Sequence, residues 1–110
     1  MAKQDRQVET LAQVFRVLGD PTRLRIWMVL QEGELNVSQI CKRLKAAQPT
    51  VSHHLGILRM SGLVTNRRNG KEIFYSLNSL DKDKTKALSA MTNGSGTVRV
   101  GPVVFAAAKS

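Results

Sequence analysis

The chain has 110 residues, of which 42% are hydrophobic, and its 17 basic and eight acidic residues give a formal net charge of +9. This length suits one domain, and the hydrophobic content argues against wholesale disorder. There is no apolar run of membrane-spanning length, no signal-peptide core and only one cysteine, so a cytoplasmic protein without a membrane partner is expected.

The first two predicted helices are separated by Gly19. Apolar residues recur at helical spacing in residues 7–18, at Val8, Leu11, Phe15 and Leu18. A second helix is expected over about residues 21–32, because Asp20 can cap it and Pro21 suits its first turn. This segment is apolar nearly all round, which predicts a buried, central helix.

Two further helices follow. Asn36 and Gln39 have the spacing of a capping box at the start of the third helix. One apolar face of that helix consists of Val37, Ile40, Cys41 and Leu44. Pro49 suits the first turn of a fourth helix over about residues 48–61, and Gly62 ends it.

Beyond Gly62 the pattern becomes strand-like. Asn69-Gly70 predicts a tight hairpin turn between two β-prone runs. Apolar residues alternate along the second run, at Ile73, Tyr75 and Leu77. A last helix is expected over about residues 80–92, and residues 95–110 could form a strand pair, a dimer contact or a flexible end.

The order of elements predicts a mainly α fold with a small β-hairpin. The third and fourth helices are joined by a turn short enough for a helix-turn-helix, and the hairpin directly after them is a wing. The expected fold is therefore a winged helix-turn-helix.

The positive charge is concentrated in residues 35–71, which hold seven basic and no acidic residues. We call this segment the basic block; its charged members are Lys42, Arg43, Lys45, Arg59, Arg67, Arg68 and Lys71. A block of this kind favours a polyanion such as DNA or RNA, although a solvated basic surface has the same composition.

The fourth helix has one apolar and one polar face. At about 100° per residue, its apolar residues cluster at Val51, Leu55 and Leu58, and this face is expected to pack inward. The opposite face is small and polar at its N-terminal end and can enter a major groove. The predicted base-reading residues are Gln48, Thr50, Ser52 and His53.

The adjacent histidines His53 and His54 are poor candidates for a metal site, because neighbours on a helix project about 100° apart and share no face. The basic block supplies no carboxylate that could orient a histidine as a base for Ser52. We expect neither a metal site at this pair nor an enzyme.

Three stretches resemble the ArsR/SmtB family of winged-helix transcriptional repressors: LGDPTRLRIWMVL, GELNVSQICKRL and QPTVSHHLGILRMSGLVTNRRNGKEIFYSL. The shared motifs are D-P-T-R-L-R-I, S-x-H-L-x-x-L-x-x-x-G-L-V and R-x-G-K-x-x-x-Y, and the resemblance covers about residues 10–80. It implies a homodimer that binds operator DNA before its own operon and releases it on binding a ligand. A two-fold dimer would read an inverted repeat.

The resemblance also implies roles for particular residues. Residues 1–93 would form the DNA-binding and dimerisation domain, with residues 94–110 as a tail of unknown role. The first and last helices would dimerise through residues that could equally be ordinary core: Leu11, Phe15, Leu88 and Met91. His54 matches the histidine of S-x-H-L and would anchor the helix, touch a phosphate or simply be semi-buried. The basic block would contact phosphates, or its wing arginines would enter a minor groove.

The metal-binding residues of the family are incomplete here. Asn36 and Ser38 stand where metal-sensing members carry the cysteines of E-L-C-V-C-D-L, and no histidine follows Asp81 and Asp83. We therefore expect no regulatory metal and no cofactor, and the inducer is left open. Cys41 is either a small core hydrophobe or a redox thiol whose disulfide partner would be in the second subunit.

The leading interpretation is a homodimeric, sequence-specific and autoregulatory repressor bound to double-stranded DNA. The alternative is a non-specific architectural nucleic-acid-binding protein, which the basic block alone would also allow. A protein-interaction module fits poorly with a segment that is purely basic.

Overall fold

The computed structural model describes the backbone of residues 3–78, 97–100 and 103–106, and the side chains of residues 8–78. The helices are α1 (Lys3–Leu18), α2 (Pro21–Val29), α3 (Val37–Leu44) and α4 (Gln48–Met60), with a 3-10 turn (Leu30–Glu32) after α2. The strands are β1 (Leu35–Asn36), β2 (Val64–Asn69), β3 (Glu72–Leu77), β4 (Thr97–Val100) and β5 (Val103–Ala106). The predicted winged helix-turn-helix fold is confirmed.

Local hydrogen bonds start the helices where the sequence predicts. The Asp20 carboxylate accepts a hydrogen bond from the Arg23 backbone N–H at 3.0 Å and caps α2. The Asn36 side chain accepts from the Gln39 N–H at 2.8 Å, and the Gln39 side chain accepts from the Asn36 N–H at 2.9 Å. This complete capping box satisfies two backbone donors at the start of α3.

The wing belongs to a three-stranded antiparallel sheet in the order β1–β3–β2. Asn69 pairs with Glu72, so the central residues of the turn are Gly70 and Lys71 rather than Asn69 and Gly70. Of these two, only Gly70 has a positive φ, 65°, as in a turn with glycine at its first central position. Strand β1 was not predicted, because a strand of two residues has no detectable alternation.

The core lies between the helices and the inner face of the sheet. Four consecutive residues of α2, from Ile26 to Val29, are buried, which confirms the predicted central helix. The predicted inner face of α4 is also confirmed, since Val51, Leu55 and Leu58 are fully buried. The strand alternation holds as well: Tyr75 is buried, with Ile73 and Leu77 packed against the core.

Helix α1 buries only part of the apolar face that its spacing suggests. Val14 and Leu18 are in the core, while Val8 is 66% and Phe15 48% exposed. The apolar residues of α1 therefore serve two surfaces, and the one with Val8 and Phe15 is exposed.

The predicted last helix, with Leu88 and Met91, lies outside the described residues. In the tail, β4 and β5 pair antiparallel, with Val98 opposite Phe105 and Val100 opposite Val103. Of the three interpretations left open for residues 95–110, the structure has the strand pair.

Candidate nucleic-acid interface

A tight turn sets the geometry of α3 and α4. Lys45 takes a left-handed conformation with φ of 53° directly after α3. The Ala46 N–H donates to the Cys41 carbonyl at 3.1 Å and the Lys45 N–H to the Lys42 carbonyl at 3.4 Å, which ends the helix in a Schellman motif. Only residues 45–47 separate the two helices, and the N-terminal turn of α4 is exposed.

The four predicted base readers lie together on that exposed turn. The side chains of Gln48, Thr50, Ser52 and His53 are all exposed. Within residues 8–78 none of them has a side-chain hydrogen bond, so their donors and acceptors are free for a ligand. Ala47 provides no side-chain cap for α4, so the first backbone N–H groups of that helix are also available to an anion.

His54 lies on the other side of α4, at its junction with α1 and α2. Its side chain is 14% exposed. Nη1 of Arg23 is 3.2 Å from Nδ1 of His54, and the Asp20 carboxylate is 3.8 Å from the same nitrogen. Arg23 is itself held by its Nε, which donates to the Val17 carbonyl at 2.6 Å. These contacts fit both an anchoring histidine and a simply semi-buried one, two of the three roles left open for His54.

Five of the seven charged residues of the basic block are exposed and have no ion pair with a described residue: Lys42, Lys45, Arg59, Arg68 and Lys71. The other two are paired with acidic residues that immediately precede the block. Arg43 forms an ion pair with Glu32, and Arg67 forms one with Glu34. The positive charge that the block can offer to a polyanion is therefore smaller than its composition suggests.

The Arg67–Glu34 pair is bidentate. Nε of Arg67 donates to Oε2 of Glu34 at 2.8 Å, and Nη2 donates to Oε1 at 2.7 Å. The guanidinium also lies over the Phe74 ring, 4.8 Å from its centroid. The hydrogen bonds from Arg67 hold the pKa of the Glu34 carboxyl below its usual range. Sequence reasoning missed this pair, because its members are 33 residues apart and no local pattern connects them.

The two positions where the family resemblance implies metal-binding cysteines have a structural role or lie at the surface here. Asn36 is occupied by the capping box and by a 3.2 Å hydrogen bond to Glu72, and Ser38 is exposed. Among the described residues there is no group of three or more histidine, cysteine or acidic side chains that could hold a metal ion. Asp81 and Asp83 lie outside them. Cys41 is half-buried and packs against the core as a free thiol.

An open groove of about 490 Å³ runs between α1 and the end of α4. Its lining includes Val14, Val17, Met60 and Leu63, and the Met60 side chain is 87% exposed. Together with the exposed Val8 and Phe15, this gives α1 an uncovered apolar surface. No helix within the described part of the chain has the length and apolar character needed to cross a membrane.

The fold is a winged helix-turn-helix, and the first turn of α4 exposes polar side chains without hydrogen bonds beside unpaired basic side chains. These features are typical of DNA-binding regulators. Residues 20–66 match the sequence profile described as bacterial regulatory protein, arsR family. The chain belongs to this family, whose members are transcriptional regulators and not enzymes.

Individual relatives agree with this assignment. An uncharacterised HTH-type transcriptional regulator of Methanocaldococcus jannaschii is 47% identical over 68 residues, which are 61% of this chain and 76% of that protein. The crystal structure of the transcriptional repressor BigR from Xylella fastidiosa is 35% identical with a TM-score of 0.67, and the match covers 82% of this chain and 95% of that one.

A third relative is the homodimeric winged helix-turn-helix DNA-binding domain of a possible ArsR-family regulator from Mycobacterium bovis. Its solution structure is 28% identical to this chain with a TM-score of 0.65, and the match covers 82% of this chain and 83% of that one.

Proposed function

We propose that the chain is a homodimeric, sequence-specific transcriptional repressor that binds an operator in front of its own gene. One observation carries this proposal. The exposed N-terminal turn of α4 presents four polar side chains without hydrogen bonds, directly opposite a face that is fully buried. The core therefore holds the helix rigidly, while its polar groups remain available for base edges.

The polar groups divide into two sets with different tasks. Gln48 can bond adenine through two hydrogen bonds in the major groove, and Thr50, Ser52 and His53 can each donate or accept at a base edge. The unpaired basic residues around them would contact phosphates, which fixes the position of the protein without reading sequence. This second set comprises Lys42, Lys45, Arg59, Arg68 and Lys71.

Dimerisation is supported by the uncovered apolar surface of α1. The Phe15 side chain is 48% exposed, and a second subunit would cover it. The Mycobacterium bovis relative is described as homodimeric, and two-fold symmetry pairs with an inverted-repeat operator. We assign dimerisation and DNA binding to residues 1–93, and leave residues 94–110 as a tail. A repressor of chromosomal genes works in the cytoplasm, where that DNA is.

The signal that releases the DNA is not a metal ion in this proposal. Asn36 replaces a soft thiolate ligand and its side chain is used in the helix cap. Cys41 packs against the core, which supports the role of a small hydrophobe over that of a redox thiol. The chemical class of the inducer stays open.

The test is a fluorescence anisotropy titration of the DNA upstream of the gene against a shuffled duplex, at two salt concentrations. A preference of about a hundredfold or more that persists at the higher salt supports a specific repressor. Equal binding that collapses with salt contradicts the proposal and favours a non-specific architectural protein, because binding through phosphates alone is sequence-independent and salt-sensitive.

A further inference from the structure

Arg67 lies on the outer face of the wing sheet, together with its two partners. Its cross-strand neighbour on β3 is Phe74, which in turn pairs with Asn36 of β1. Directly opposed residues of an antiparallel sheet share a face, so Arg67, Phe74 and Asn36 form one row across the three strands. Glu34 lies two residues before Asn36 and meets the guanidinium over the Phe74 ring.

In this arrangement, N–H donors and one face of the Arg67 guanidinium are already in contact with Glu34 and Phe74 and are not free for DNA. The bidentate contact uses Nε–H and one Nη2–H, and the Phe74 ring covers one face of the guanidinium. The pair as a whole is neutral, so a phosphate near it meets the Glu34 carboxylate as well as the cation. A neutral pair neutralises no phosphate and releases no counterion.

The next residue along β2 is in a different position. Arg68 pairs with Ile73, so it lies on the opposite face of the sheet from Arg67. It is exposed and forms no ion pair with a described residue, and the same holds for Lys71 in the turn. Of the two adjacent wing arginines, Arg68 therefore has a charge that is available to a phosphate, whereas the charge of Arg67 is paired with Glu34.

We propose that Glu34 withholds Arg67 from the DNA backbone, so that the wing contacts phosphates through Arg68 and Lys71. This inference rests on the proposed function, since it assumes that the wing meets DNA. Its consequence is that Glu34 limits the sequence-independent part of the affinity, and a larger share of the binding free energy has to come from the base readers on α4.

The test measures the salt dependence of DNA binding by anisotropy, with the upstream duplex and the shuffled duplex, for the full chain and five variants. These variants are Glu34→Gln, Arg67→Gln, the double variant of both, Arg68→Gln and Glu72→Gln. Glu72 is the matched control, because it is an exposed acid on the same sheet face whose partner is Asn36 and not an arginine. Circular dichroism and thermal unfolding verify that each variant is folded.

We expect Arg68→Gln to flatten the slope of log K against log salt by about 0.9 per subunit, and Arg67→Gln to leave it unchanged. Glu34→Gln should steepen the slope by about 0.9 per subunit and tighten binding to both duplexes alike. For a dimer, the steeper slope means that the DNA affinity falls by roughly a tenfold larger factor between 50 and 200 mM salt than for the wild-type protein. The double variant should return to the slope of the wild-type protein, and Glu72→Gln should not change it.

Two results would overturn the inference. In the first, Arg67→Gln flattens the salt slope as much as Arg68→Gln does. In the second, the double variant shows the same steeper slope as Glu34→Gln alone. Failure of the proposed function is a separate result. Equal binding of wild-type protein to both duplexes contradicts the specific repressor, while the Arg67 comparison is still decided on the shuffled duplex. Absence of binding to either duplex overturns both.

Discussion

Nδ1 of His54 lies 3.2 Å from Nη1 of Arg23 and thereby joins α4 to the first turn of α2. Arginine can only donate a hydrogen bond, so Nδ1 of His54 is the acceptor in this contact. Because Arg23 also donates to the Val17 carbonyl at the end of α1, one guanidinium connects three helices. His54 is thus placed to set the orientation of α4 relative to the rest of the domain.

Replacement of His54 with alanine should lower the free energy of unfolding by about 1–3 kcal/mol, because the Arg23 donor loses its partner and a half-buried site is emptied. Urea unfolding measures this change. The salt slope of DNA binding should stay the same. His53→Ala is the control: this exposed neighbour should change stability by less than about 0.5 kcal/mol and should weaken sequence preference instead. A flattened salt slope with full stability for His54→Ala would identify His54 as a phosphate contact.

The Asp20 cap makes stability depend on pH. The hydrogen bond from the Arg23 backbone N–H holds the pKa of Asp20 below its usual value. A carboxyl whose pKa is lower in the folded state adds stability above its unfolded pKa, and this part is lost as the pH falls through the folded value. In urea unfolding, the free energy of unfolding should therefore decrease less between about pH 6 and pH 3 for Asp20→Asn than for the wild-type protein.

Asp20→Ala separates the cap from the charge. It removes the cap itself and should cost about 1 kcal/mol at pH 6 and less at pH 3, whereas asparagine keeps a capping oxygen. An identical pH dependence in Asp20→Asn and the wild-type protein would show that the cap does not depend on ionisation.

Thr50→Ala combined with Ser52→Ala should relax sequence preference while the protein stays fully folded, because both side chains are exposed and without hydrogen bonds in the described structure. Each lost base contact should cost roughly 1–3 kcal/mol on the operator and nothing on a shuffled duplex. The measurement is the ratio of the two affinities at constant salt. A proportional loss on both duplexes would place these residues among the phosphate contacts.

Phe15→Glu should convert the dimer into a monomer, since a charge placed in an apolar interface is strongly unfavourable. Thr10→Glu adds the same charge about 140° away from Phe15 around α1, at a residue outside the groove lining, and should leave the dimer intact. Analytical ultracentrifugation distinguishes the two outcomes. A Phe15→Glu variant that is still dimeric at low micromolar concentration would exclude α1 from the interface.

Zinc in modest excess should leave the DNA affinity unchanged, because the cysteine positions of metal-sensing relatives hold Asn36 and Ser38. Anisotropy titrations with zinc and with a chelator test this expectation. A change of tenfold or more would show that zinc regulates the protein and would contradict this expectation.

Several features could be read from short segments of sequence. The caps at Asp20 and Asn36 and the end of α4 at Gly62 depend on hydrogen bonds that span three to five residues, so residue type and spacing are sufficient to predict them. The buried face of α4 follows equally from the period of the helix, which places Val51, Leu55 and Leu58 on one side. Opposite that face, the exposed turn with Thr50 and Ser52 was predictable by the same geometry.

The tertiary structure alone decided which charges and faces are available. Arg67 and Arg68 are adjacent and chemically identical, yet only the pairing of β1 with β3 brings Glu34 to one of them. In the same way, the packing of α4 against α2 brings His54 to Arg23, which is 31 residues away in the chain. Local hydrogen bonds and side-chain periodicity are encoded within one or two turns of chain, whereas a contact between distant residues depends on how separate helices and strands pack. The sequence by itself therefore determined the elements and their inner faces, and the packing determined the partner of each polar side chain.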